Sequence, residues 1–148
     1  MAQDDRPTDE TGSVKTKRVA LGLGYFSLAL GALEVAAPGR LARFLGLEGN
    51  STAKNTIFAF GLREIAAGTM LLRGPAVSTN VWNRVIGDVM DAGALALAMG
   101  KSNRKGAVTG ALAFVGGAFA ADLITARALD KKTARTFPVT AQPAAVGR

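Results

Sequence analysis

The stretch GLREIAAGTMLL, Gly61–Leu72, decides how this sequence is read. It is apolar except for Arg63 and Glu64, placed side by side near its middle. In a water-soluble helix, charged residues form a stripe along one face. Here they interrupt a segment otherwise built to avoid water. Similar segments stand on either side of it. Val19–Ala37 ends at Pro38 and Gly39, Asn55–Leu72 ends at Arg73-Gly74-Pro75, and Val81–Met99 and Gly106–Ala128 follow. Proline cannot continue the helical hydrogen-bond ladder, so these stops are sharp. At about 1.5 Å per residue each segment is long enough to cross a hydrocarbon core of about 30 Å. Leu21–Leu33 and Ala107–Ala121 contain no charged residue at all, which a soluble four-helix bundle would not tolerate on every face. The expected fold is all-α, an integral membrane four-helix bundle. The short loops make neighbouring helices antiparallel.

Between the first two segments, Leu41, Phe44, Leu45 and Leu47 share one side of a short helix flanked by Arg40 and Arg43. This predicts a helix lying in the membrane interface, or one packing on the bundle. Ser78 or Thr79 is expected to cap the third span. Residues 1–17 and 130–148 are polar or Pro/Ala-rich and are expected to be disordered cytoplasmic tails around a bundle over 18–129. No apolar run opens the chain, so no cleaved leader is expected. Lys and Arg near the span ends slightly favour both termini in the cytoplasm, at a bacterial inner membrane.

Composition narrows the chemistry. Cys and His are both absent, which excludes disulfides, thiol and imidazole catalysis and the commonest zinc and haem ligands. No catalytic residue, metal or cofactor is expected. The net charge of +7 sits mostly in tails and loops beside apolar segments. It therefore points to membrane lipids rather than nucleic acid. A soluble or membrane protein partner and a homo-oligomer are compatible with it.

A charge at mid-bilayer costs roughly 2.5–3.5 kcal/mol on insertion scales, so the internal charges must find partners. Arg63 and Glu64 diverge by about 100° around their helix, so each is expected to seek a partner on another span. Asp88 and Asp91 share a face of the third span, and Arg63 is expected to bridge one or both, Arg being suited to partly buried carboxylates. Arg84 and Asp122 fall at similar depth and are expected to pair. Glu34 is placed near interfacial water or Arg40. Arg63, Glu64, Arg84, Asp88, Asp91 and Asp122 thus form a buried charge network or a ligand site. Small residues accompany them: Gly61 and Gly68 flank Glu64, Gly87 and Ala94 flank Asp91, and Gly106–Gly110 is a GxxxG motif. The recurrence of G-x-x-E-[V/I]-A-A at Gly31–Ala37 and Gly61–Ala67 reads as chance in so Ala/Gly-rich a chain.

GLRE, then GDVMDAG (Gly87–Gly93), then AADLITA (Ala120–Ala126) resembles a family of small bacterial membrane proteins with four spans. They occur alone or fused to polyketide-cyclase or START-like domains, and are loosely DoxX-like. The resemblance implies a four-span bundle with its polar positions at Arg63, Glu64, Asp88, Asp91 and Asp122, and implies no settled activity. A likeness of DVMDAG to the CDP-alcohol phosphotransferase motif fails, because Ala92 follows Asp91 where that motif needs Gly. Three functions fit the pattern: an accessory or scaffold membrane subunit, a binder of a small lipid, isoprenoid or quinone, and a proton-coupled transporter acting as an oligomer.

Overall fold

A computed structural model describes residues 9–73 and 77–133, which form five helices and no strand among the described residues. They are α1 (Asp9–Ala36), α2 (Pro38–Phe44), α3 (Ser51–Arg73), α4 (Val77–Met99) and α5 (Lys105–Thr133). The all-α expectation holds. Two boundaries differ from the sequence reading. α1 begins at Asp9, inside the stretch expected as a tail, and α5 continues to Thr133, past the expected end of the bundle. Residues 1–8 and 134–148 lie outside the described residues.

α1 packs chiefly on α3, and α4 chiefly on α5, so the bundle is two antiparallel pairs set against each other. The α1–α3 seam is built on four glycines. A methyl group at Gly31 would lie 2.6 Å from the Gly61 carbonyl oxygen, and one at Gly61 would lie 2.9 Å from that of Gly31. One at Gly68 would lie 2.8 Å from the carbonyl of Gly24. Only hydrogen fits, and the two backbones touch. The repeated G-x-x-E motifs therefore meet: Gly31 faces Gly61 across the seam, a reciprocal contact. The GxxxG motif of α5 behaves oppositely, with open space around Gly106, Gly110, Gly116 and Gly117.

The two pairs join tightly at one end only. Ala20, Leu71, Val81, Val85, Ala126 and Leu129 form the buried core there, with Leu23, Trp82 and Phe119 against it. Asp130 clasps this end, accepting from the Ser78 hydroxyl and from Trp82 Nε1 at 2.8 Å. Ser78 is thus inside α4 and bonded to α5, rather than capping α4. At the opposite end Asn50 caps α3, its side-chain oxygen accepting from the Ala53 N–H at 3.0 Å. There the loop after α2 meets the loop before α5. Ser102 Oγ donates to the Leu45 carbonyl at 2.6 Å, and Asn103 N–H donates to the Gly46 carbonyl at 3.2 Å. Gly46 has φ 69°, and a side chain at that position would lie 2.6 Å from the Arg104 nitrogen. α2 packs on α3 and buries Ala42.

Among the described residues two stretches are long and apolar enough to cross a membrane, Arg18–Ala36 in α1 and Lys105–Lys131 in α5. α3 and α4 have the length, but Arg63, Glu64, Arg84, Asp88 and Asp91 lower their apolar character. Few residues of the two apolar stretches are buried.

The seam yields a direct test. Gly31→Val should cost about 1–3 kcal/mol or more, because the backbones cannot separate without losing the α1–α3 contact. Gly116→Ala, in open space, should leave stability unchanged or slightly raised. Thermal denaturation of the two variants in mild detergent, read by circular dichroism, measures the difference.

Candidate functional site

Glu64 stands at the centre of the molecule, 4% exposed. Gly61 and Gly68 on its own face let α1 approach, and Ser27 of α1, fully buried, donates its hydroxyl to the Glu64 carboxylate. Arg84 of α4 gives its Nη1 to Glu64 Oε2 at 3.1 Å. The same guanidinium turns its Nε and Nη2 to Asp122 of α5, at 3.2 Å and 2.9 Å. Nε to Oδ1 is the hydrogen bond of this ion pair, and Nη2 stands beside Oδ2 without making a second one. Arg84 and Asp122 are almost wholly buried, and the pairing expected between them is present.

Arg63 takes one of the two partners expected for it and adds two more. It does pair with Asp91, Nη2 to Oδ2 at 2.8 Å, but Asp88 is not its partner. Nη1 donates instead to the Gly87 carbonyl at 2.9 Å, and a methyl at Gly87 would lie 2.8 Å from the guanidinium carbon. Arg63 also pairs with its neighbour Glu64, Nη2 to Oε1 at 2.6 Å. The 100° divergence at the helix surface is overcome by the length of the two side chains, which bend to meet beyond it. The guanidinium further lies 5.2 Å from the Phe60 ring centre. Asp88 is buried beside Asp122 and Arg84, with its Oδ2 free of hydrogen bonds.

All six residues expected in the network are therefore brought together. Ser27 and the Gly87 carbonyl were missed as members. Ser27 had a readable signal, standing between Gly24 and Gly31 as Glu64 stands between Gly61 and Gly68. The Gly87 carbonyl had none, because a backbone acceptor inside a helix is invisible in sequence.

The network closes one end of a partly open cavity of about 860 Å³ in the loosely joined half of the bundle. Its walls are apolar, from Leu30 of α1, Ile57 and Phe60 of α3, Leu95 of α4 and Phe114 of α5, with Leu41 and Leu45 near the α2 end. Glu34 and Asp91 are its carboxylate-bearing lining residues. Each keeps one buried oxygen, Oε2 and Oδ1, without a hydrogen-bond partner. Glu34 is thus set in the cavity wall. Among the described residues no group of three or more Asp, Glu, His or Cys is placed to hold a metal ion.

No family model, no curated protein and no solved structure matches this chain.

Double-mutant coupling resolves the pairings. Arg84→Ala strands Asp122 and takes one of two guanidiniums from Glu64, and should cost roughly 3–5 kcal/mol, the range for breaking a buried pair. Adding Asp122→Asn should recover part of that. Arg63→Ala should couple to Asp91→Asn by about 1 kcal/mol or more and only weakly to Asp88→Asn. Equal coupling to both aspartates would show that Arg63 bridges them.

Proposed function

We propose that this chain is a multi-pass membrane protein that holds a small amphiphilic molecule in the cavity between its helix pairs. The cavity carries the reading. Its volume lies within the roughly 300–1,000 Å³ of small-molecule sites, and its apolar wall ends in a few convergent polar groups, as such sites do. A bundle whose charges served only to fix its own packing would have no need to hold its helix pairs apart on one side of them.

The membrane part rests on the outer surface. Large apolar side chains face outward on every long helix: Val19 on α1, Met70 on α3, Ile86 on α4 at 60% exposed and Ile124 on α5 at 69%. A soluble protein does not sustain so continuous an apolar exterior. The charges of α3 and α4 turn inward to one another, which lowers the cost of placing these helices as the second and third of four spans. The likeness to small four-span bacterial membrane proteins agrees with this. The small Lys/Arg bias favours both ends on the cytoplasmic side of a bacterial inner membrane.

A second reading, an accessory or scaffold subunit, is favoured by one observation. The network joins all four long helices and is sufficient to fix their packing.

One experiment separates the two readings. The protein should stay in the membrane after a carbonate wash, and after extraction in mild detergent its native mass spectrum should show a stoichiometric small adduct. Ala94→Trp, which fills the cavity from the α4 wall, should remove the adduct while leaving the yield of folded protein nearly unchanged. Failure to sediment with membranes would overturn the membrane reading. Absence of any adduct in protein prepared without lipid stripping would favour the scaffold.

A further inference from the structure

We propose that the cavity selects an amphiphile whose head is a protonated amine, with Glu34 and Asp91 as the groups that receive it; this rests on the cavity being a ligand site. The argument begins with what the closed end of the cavity offers. Both guanidiniums near it are committed. Arg63 is engaged by Asp91, Glu64 and the Gly87 carbonyl, and Arg84 by Glu64 and Asp122. The lining atoms that are buried without a hydrogen-bond partner are both acceptors, one oxygen on Glu34 and one on Asp91. Those oxygens are covered as the side chains now stand. The terminal torsions of Asp and Glu are broad and roughly two-fold, so a modest rotation turns either carboxyl toward the cavity. Asp91 can keep Arg63 on one oxygen while presenting the other.

Charge points the same way. Glu34 lies within electrostatic reach of Asp91, Glu64 and Arg63. Glu34, Glu64, Asp88, Asp91 and Asp122 together outnumber Arg63 and Arg84, so the formal charge of the cluster is negative. In a low-dielectric interior such an excess is met by protons on the carboxyls or by a cation, and an ammonium supplies both the charge and the donors. The basic group in the lining is Lys101, in the turn after α4 and about two helical turns or more beyond Asp91, at the other end of the cavity from the carboxyls. The apolar wall accommodates a hydrocarbon body, and Phe60 stands at the same end of the cavity as the carboxyls. A fatty acid or a phosphate-bearing lipid would set its anion against Glu34 and Asp91. The occupant that complements both parts is a hydrophobic amine with no phosphate beside its nitrogen.

The test uses the full chain in dodecyl maltoside micelles at neutral pH, with dodecylamine, 1-dodecanol and dodecanoate as matched probes. Binding is read as the one-to-one adduct by native mass spectrometry. Dodecylamine should bind about tenfold tighter than dodecanol or better, as expected for gaining a charge-assisted hydrogen bond, and dodecanoate should not bind. Glu34→Gln removes the charge without touching the Arg63 or Arg84 pairs, and should bring dodecylamine down to the level of dodecanol. Asp91→Asn should act in the same direction, though it also loosens Arg63. Equal binding of amine and alcohol, or an unchanged amine affinity in Glu34→Gln, would overturn the amine assignment and leave the cavity as a site for neutral amphiphiles. Adducts that persist undiminished in Ala94→Trp, or no adduct with any probe, would overturn the ligand site itself.

Discussion

One carboxylate holds the four long helices to a common register. Glu64 of α3 receives the Ser27 hydroxyl from α1, Arg63 from its own helix and Arg84 from α4, and Arg84 passes the connection to Asp122 of α5. In water such pairs contribute little, because each group is well solvated alone. Away from water the comparison changes. A carboxylate or guanidinium that loses its partner there has nothing to replace it, so every arrangement that separates these residues is strongly disfavoured. The pairs need not add net stability over an apolar core to have this effect. They act by penalising the alternatives, and with side chains as small as those of α1 and α3 many alternative packings would otherwise be close in energy.

The position of this network divides the bundle. On one side the helix pairs close around Val81, Val85, Leu71, Ala126 and Leu129, and Asp130 ties α5 to the start of α4. On the other side they stand apart, held by the loop contacts between Leu45–Gly46 and Ser102–Asn103. A wall of apolar side chains bounded by carboxyls is left between them. The rigid half fixes where the charges lie, and the charges fix the chemistry that the open half presents. A loosely packed cavity without the network would accept any apolar molecule that fits. With it, the polar end is set by groups whose positions are decided elsewhere in the fold.

Much of this was legible from residue patterns. Apolar length and proline stops gave the helices, because backbone hydrogen bonding leaves few other choices for such segments. Arg84 and Asp122 were paired correctly from depth alone. Arg63 was assigned to the right helix, with Asp88, Asp91 or both as its partner; its further bond to Glu64 was not expected, given the angle between the two helix positions. That angle describes where side chains leave the helix and not where long ones end. The helix boundaries at Asp9 and Thr133 were missed because polar helix ends and polar tails have the same composition. The cavity could not be read from the sequence. It depends on the angle between two helix pairs, and no local periodicity encodes that angle.

The paired G-x-x-E motifs show why similar local sequences reach different ends. Gly31 and Gly61 touch, so the motifs they begin are related by an approximate two-fold across the α1–α3 seam. In antiparallel helices the glutamate three residues beyond each glycine then points to opposite sides of the crossing. Glu64 is carried toward the closed half, where Ser27 and Arg84 wait to neutralise it. Glu34 is carried toward the open half, where its Oε2 is left without a partner. A fully paired second site would have needed another arginine on α5 facing Glu34, and the wall there is Gly110, Ala111 and Phe114 instead. The same close contact of glycines therefore produces both the element that locks the fold and the carboxyl left available at the cavity wall.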